Sequence, residues 1–344
     1  VMGSVAAIRI LHRRRLAEVD DNPDDVARLR VDYAEAGLER LDDDVLAAFV
    51  FGHRTPAGTD PRVLRVPLAP FGDSPAEVWR VAGPVRHGDD GGIRWAADEH
   101  LAFGVIEVAE GDDGIEAAAR RAYAAMVAHV GASAMPHLLR IWNYFDAITL
   151  GEGDAERYRR FCVGRAEGLG AFDLGRLPAA TAIGRCDGER VLQVYWLSAR
   201  EPGIPVENPR QVSAYRYPRQ YGPQPPSFAR AMLPADGHVM PLLLSGTAAV
   251  VGHASQHDGE LLAQIEETFA NFDALLDNAR RHRPGLPAAF GPGTRLKVYV
   301  RDRADLPLVA DALQQRFGDR VPRVILHAAV CRRELAVEID GVHG

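Results

Sequence analysis

The sequence predicts an α+β fold in which one unit is laid down twice, each a mixed sheet with its helices on one face. Three observations predict it. Short alternating strand patterns take over from about Leu46, two spans in each half switch to helical periodicity, and the second half repeats the element order of the first. The 344 residues are 47% hydrophobic and 25% charged, the proportions of a globular chain long enough for two ordinary domains. The expected division is residues 1–204, with a poorly matched leader to about residue 45, and residues 205–344.

The leader is polar and acidic, and Asp20–Asp25 reads as a turn or helix start. Strand patterns follow at Ala47–Phe51, Val63–Leu68, Ala76–Val81, Ile93–Ala97 and Leu101–Ala109, parted by Gly, Pro and Asp clusters. Gly114–Val130 is an alanine-rich helical stretch that stops at Gly131. His137–Ile148 reads as a buried strand, Asp154–Leu169 as an amphipathic helix, and Ala179–Arg185 and Arg190–Leu197 as two closing strands. The second half then runs through strands at Gln211–Tyr217, Phe228–Leu233 and Met240–Val251 and a long helix at Gly259–Arg281. A strand at Arg295–Arg301, a helix at Asp305–Phe317 and a closing strand pair at Val324–Val330 and Leu335–Ile339 complete it.

Composition excludes several classes. Forty basic against forty-seven acidic residues leave a net charge of −7, without the basic excess of a nucleic-acid binder. Lys297 is the only lysine, so any anion site must be built from arginine forks. Three scattered cysteines (Cys162, Cys186 and Cys331) make neither a disulfide framework nor a four-thiolate zinc site, and point to a reducing cytoplasm. No stretch approaches the roughly 18 apolar residues of a membrane span. The short apolar run ending at Arg9, followed by His12-Arg13-Arg14-Arg15, does not read as a secretory signal.

The closing segments of the halves can be superposed on their cysteines. Gln193 stands seven positions after Cys186, and Glu338 seven after Cys331, so one half carries a proton-transfer group the other lacks. Glu338 shares a strand face with Ala336 and Asp340, either a solvated outer face or one turned to a cleft. The stretch Gln211–Arg230 is rich in tyrosine and arginine. Arg216, Arg219 and Arg230 offer guanidinium forks, and Tyr215, Tyr217 and Tyr221 can donate hydrogen bonds. Tyr158 and Arg165 lie two helical turns apart on one face. His253 and His257 have a chelating spacing, but without the zincin glutamate Ser255–Asp258 reads as the turn and cap of the long helix.

Ser245–His253, Ala263-Gln264, Asn271, Leu296–Val300 and Val337–Ile339 resemble a RidA-type (YjgF-like) unit. With Arg140–Phe145, Tyr158…Phe161…Gly164-Arg165 and Tyr215–Arg219 added, residues 45–344 resemble the chorismatases, enzymes that remove pyruvate from chorismate. That resemblance implies two tandem RidA/YjgF-like units, Glu338 as the catalytic acid/base, and no metal or organic cofactor. It implies substrate binding by Tyr158, Arg165, Tyr217 and Arg230, with Arg216 and Arg219 as further members. Cys331 near the acid, together with Gly246, resembles the branch that forms 3-hydroxybenzoate through an arene oxide. Hydrolysis to a dihydroxycyclohexadiene carboxylate, or RidA-like enamine/imine hydrolysis, are the alternatives. The expected partner is chorismate alone, with no nucleic acid or membrane, and a monomer with an internal pseudo-oligomeric interface suits the duplication.

Overall fold

The computed structural model describes residues 28–34, 40–52, 60–73, 75–235 and 240–344. The Asp20–Asp25 turn lies outside the described residues. Five strands come first: β1 (Leu29–Ala34), β2 (Val45–Phe51), β3 (Val63–Val66), the short β4 (Ala69–Pro70) and β5 (Ala76–Val81). β1, β5, β2 and β3 form a four-stranded sheet in that order. β1 belongs to the leader, whose polar residues concealed a strand of alternating burial.

The next unit contains β6 (Arg86–Asp90), β7 (Ile93–Ala97), β8 (Leu101–Ala109), α1 (Gly114–Ala132), β9 (His137–Asp146), α2 (Arg157–Leu169), β10 (Ala179–Arg185) and β11 (Val191–Ala199). Helix α1 buries Ile115, Ala118, Ala119, Ala122, Tyr123 and Met126 at helical spacing. Its small alanines leave room for α2, whose Gly164 crosses so closely that a Cβ there would lie 1.9 Å from the Glu116 carbonyl oxygen. The residues ahead of α2, expected as helix from Asp154, form only a 3₁₀ turn at Gly153–Ala155.

The last unit has β12 (Ile204–Val206), β13 (Ala231–Leu233), β14 (Leu242–Thr247), the short β15 (Val250–Val251) and β16 (Ala254–Ser255), and α3 (Leu261–His282). It ends with β17 (Arg295–Val300), α4 (Leu306–Phe317), β18 (Arg323–His327) and β19 (Val337–His343). Its sheet order, β12-β13-β14-β19-β17-β18, repeats β6-β7-β8-β11-β9-β10 strand for strand, with β4 added at the β18 edge. The tandem α+β reading is therefore what the chain adopts. Details differ. The expected strand at Gln211–Tyr217 is instead a loop with a 3₁₀ turn at Ala214–Arg216, bounded by prolines at 209 and 218. β18 and β19 do not pair; β17 lies between them, parallel to β18. Ser255–Asp258 does not cap α3, whose N-cap position is Glu260.

The four-stranded sheet repeats the last four positions of the same order. Phe49 faces Glu77 there, as Tyr144 faces Gln193 and Tyr299 faces Glu338 in the other two sheets. Three sheets thus present Glu77, Gln193 and Glu338 at one shared register. Their inner faces meet in a common core that includes Phe49, Trp79, Trp142, Tyr144, Tyr195 and Tyr299. The outer faces of the two larger sheets are covered by α1 and α2 and by α3 and α4.

Candidate active site

Strand β13 pairs with only Leu243 and Leu244 of β14, so the edge of β14 beyond them is free to meet β10 of the preceding unit. The Ser245 hydroxyl staples the two, accepting the Ala180 N–H at 2.9 Å and donating to the Ala229 carbonyl at 2.6 Å. A cavity of about 470 Å³ opens at this seam, the size of a small-molecule site. Five arginines and four glutamates line it, along with Tyr158, Tyr217 and Tyr221.

Period two along β19 sends Val337 and Ile339 into the core under the helices and Glu338 and Asp340 to the opposite face. That face is inside the molecule: Glu338 is 5% exposed. Its carboxyl lies directly over Gly246, where any Cβ would come within 1.9 Å of Oε1. Burial, and next the charge of Asp340, push the Glu338 carboxyl up to about 8, against the opposing pull of Arg140. It therefore holds a proton near neutral pH. The Cys331 Sγ sits 3.9 Å from Oε2. Burial, and then Glu338, push that thiol upward too, so it is an S–H donor rather than a thiolate.

Two tyrosine–arginine pairs flank the acid. The Gly164 crossing seats α2 deeply enough that Arg165 is 3% exposed, its Nη2 donating to the Ser227 carbonyl at 2.7 Å. Tyr158, two turns earlier, lines the same cavity, and burial raises its phenol so that it stays a donor. From the opposite side Arg230 donates to the Tyr217 hydroxyl at 2.7 Å and lies over the Phe228 ring. Both arginines keep a buried Nε–H without a protein partner. The Arg165 and Arg230 guanidinium groups line the same cavity as the proton-carrying Glu338 carboxyl, a set that suits a small anionic ligand that accepts a proton.

Seven of the nine residues singled out from sequence line the cavity: Glu338, Cys331, Tyr158, Arg165, Tyr217, Arg230 and Gly246. Arg216 and Arg219 stand outside it. Arg216 is exposed beside the Tyr215 ring, and Arg219 is exposed and paired with Asp154 at 2.5 Å. The sequence reading missed Thr181 and Arg332. Arg332 stacks 4.2 Å from the Tyr221 ring centre and donates to the His253 carbonyl at 2.9 Å. Its place next to Cys331 was the one signal available. His257 pairs with Glu267 and His253 with Tyr221. Among the described residues no cluster of three or more His, Cys, Asp or Glu forms a metal cage, and no helix is long and apolar enough to cross a membrane.

Residues 77–198 match the family model described as chorismatase FkbO/Hyg5-like, N-terminal. A chorismatase of Streptomyces rapamycinicus is 36% identical over 325 residues, covering 90% of this chain and 96% of that one. The chain belongs to the chorismatase family. A 3-hydroxybenzoate synthase of Streptomyces hygroscopicus is 37% identical over 288 residues, 80% of this chain and 83% of that one. A crystal structure of a chorismatase superposes with a TM-score of 0.83 at 32% identity, covering 93% of this chain and 99% of that one.

Proposed function

We propose that this chorismatase converts chorismate to 3-hydroxybenzoate and pyruvate, with Glu338 as the acid and then the base. The observation that carries this reading is the proton-holding Glu338 carboxyl, itself buried, in a cavity it shares with two tyrosine–arginine pairs. Chorismate has two carboxylates, and Arg165 and Arg230 offer one guanidinium to each. Tyr158 and Tyr217 add phenolic donors.

Cleavage of an enol ether begins with a proton on its methylene carbon, and Glu338 supplies it. The positive charge then rests on the ether carbon and its oxygen. The neighbouring ring hydroxyl forms its bond to the ring carbon as the bond from that carbon to the ether oxygen breaks. The released pair makes the carbonyl of pyruvate, and the hydroxyl proton passes to the Glu338 carboxylate. Glu338 is thereby restored, and no water is consumed. The arene oxide left behind opens to the phenol. The burial of Glu338 supports a water-poor site, which favours the internal hydroxyl over hydrolysis. Cys331, a thiol beside the carboxyl, donates to the carboxylate formed after the first transfer.

Incubating the protein with chorismate, following pyruvate, and separating the ring product by mass and retention tests the reading. Pyruvate with 3-hydroxybenzoate is expected, and Glu338→Gln should lower turnover by about 10²–10⁴-fold while substrate still binds. Pyruvate with a dihydroxycyclohexadiene carboxylate would move the enzyme to the hydrolytic branch. No pyruvate would remove the assignment.

A further inference from the structure

Beneath the cavity floor lies a closed cluster of charges that the proposed chemistry does not touch. Its unusual member is Lys297, the single lysine among forty basic residues, 1% exposed on β17. Its ammonium lies 2.9 and 3.0 Å from the two Glu77 oxygens and 3.4 Å from Asp340 Oδ1, with the Phe49 and Trp142 rings beside it. A compact point charge fits between two carboxylates and two rings where a planar guanidinium fork would not. Asp340 is fully buried, and its Oδ2 accepts from Arg140 at 2.9 Å, Thr181 at 2.8 Å and Tyr299 at 3.1 Å.

Two links join this cluster to the site. Asp340 stands two residues beyond Glu338 on the same strand face, roughly 6–7 Å along the chain. Thr181 is the second link. While donating to Asp340, its hydroxyl accepts the Gly246 N–H at 3.0 Å, fixing the backbone on which the Glu338 carboxyl rests.

We propose that Asp340 is a positioning residue for the reaction: locked by Arg140, Thr181, Tyr299 and Lys297, it is the immobile negative neighbour that holds Glu338 as a proton donor. This rests on Glu338 being the acid of the proposed reaction. The groups that face Glu338 are Asp340 on its own strand, Arg140 from β9, Arg301 beyond β17, Cys331 from the preceding loop and Tyr158 from α2. Arg140, the Cys331 thiol and Arg301 favour the ionised form, and burial with Asp340 outweighs them. Stability alone is a poor reason for such a cluster, since apolar replacements of buried ion pairs are often as stable or more so.

The test is the pH dependence of pyruvate release from chorismate by the unmodified enzyme, by Asp340→Asn, and by Asp340→Asn combined with Lys297→Met. The double variant removes one cation with the anion and leaves the buried charge balanced. A general acid works below its pKa, so activity must fall as pH rises through that value. In the unmodified enzyme this limb is expected above pH 7, near the value of about 8 for Glu338. In both variants it should move to lower pH by about one unit or more, with turnover regained on acidification. A limb that stays in place while the rate drops at every pH would overturn the role of Asp340. So would an unmodified enzyme whose limb lies in the ordinary carboxylate range, a result that depends on no variant folding. Retained turnover in Glu338→Gln removes the acid assignment and this proposal with it. An inactive Glu338→Gln beside an unmoved limb in Asp340→Asn removes the proposal alone.

Discussion

Gln193 and Glu338 occupy the same register of two sheets with the same strand order, yet one is sealed and the other floors a cavity. The sealed position is filled by its neighbours. The Gln193 amide donates to the Arg65 carbonyl of β3 at 3.2 Å and to Glu107 at 2.9 Å, and Tyr195 closes on the same carbonyl at 3.0 Å. Two backbone differences open the other. The β8–β11 ladder is regular, whereas the β14–β19 ladder slips between Leu244 and Thr247, placing side-chain-free Gly246 under the carboxyl. In the sealed unit β6 and β7 are joined by the tight turn at Gly91-Gly92, while β12 and β13 are joined through residues 207–230, which bring Tyr217 and Arg230 over the opening. A duplicated fold gains a site here through a bulge and a long loop, and the change of amide to acid matters only in that setting.

Among changes that test this comparison, refilling the bulge should have the largest effect. Gly246→Val puts a branched side chain where even a Cβ comes within 1.9 Å of Glu338 Oε1. The carboxyl is the flexible partner and swings away, so the fold survives and the proton is misplaced. Turnover should fall about 100-fold, the scale of a misplaced catalytic group, with a melting temperature close to that of the unmodified protein. Equal losses of activity and stability would mean that the bulge is a packing feature.

The reverse change asks whether the acid alone makes a site. Gln193→Glu restores the carboxyl at the sealed register, directly opposite Glu107. The Arg65 carbonyl, Glu107 and Tyr195 already crowd this position, so no added turnover is expected. The cost should be about 1–3 kcal/mol of stability, that of a buried polar group losing its donor role. Burial raises this carboxyl in the folded state, so the folded protein holds a proton that the unfolded chain releases. Below the unfolded value both states are protonated and the loss is small; it grows as pH rises above that value. Denaturation midpoints at mildly acidic and neutral pH measure the difference, and a variant with the parent's stability at both would show that this register tolerates charge.

Much of this was legible in the residues. Periodicity located the helices and most of the paired strands, because each buries one face against a sheet. The cysteine-anchored superposition set Gln193 against Glu338, the same equivalence that the Tyr144 and Tyr299 pairings give. The third sheet was hidden. β1 is only half-buried, and the polar leader did not announce another copy of the order. The cluster at Lys297 escaped because its charges come from four strands far apart in sequence. The tyrosine–arginine segment read as a strand from its alternation, although the chain there makes a 3₁₀ turn between flanking prolines.

That segment also supplies the smallest prediction, which separates residues over the opening from residues that merely share its composition. Arg219 is a guanidinium in the same stretch as Arg230, but it is exposed and bound to Asp154 at 2.9 and 2.5 Å, away from the cavity lining. An exposed ion pair contributes about 0–1 kcal/mol. Arg219→Ala should therefore leave KM and kcat within about threefold of the parent, since 1 kcal/mol corresponds to about fivefold and an exposed pair seldom reaches it. Arg230→Ala should raise KM far more, because it removes the donor facing the cavity and frees Tyr217. If both variants bind substrate equally poorly, the loop acts as one rigid roof held from outside, and the seat of Arg219 on Asp154 becomes part of how the site is closed.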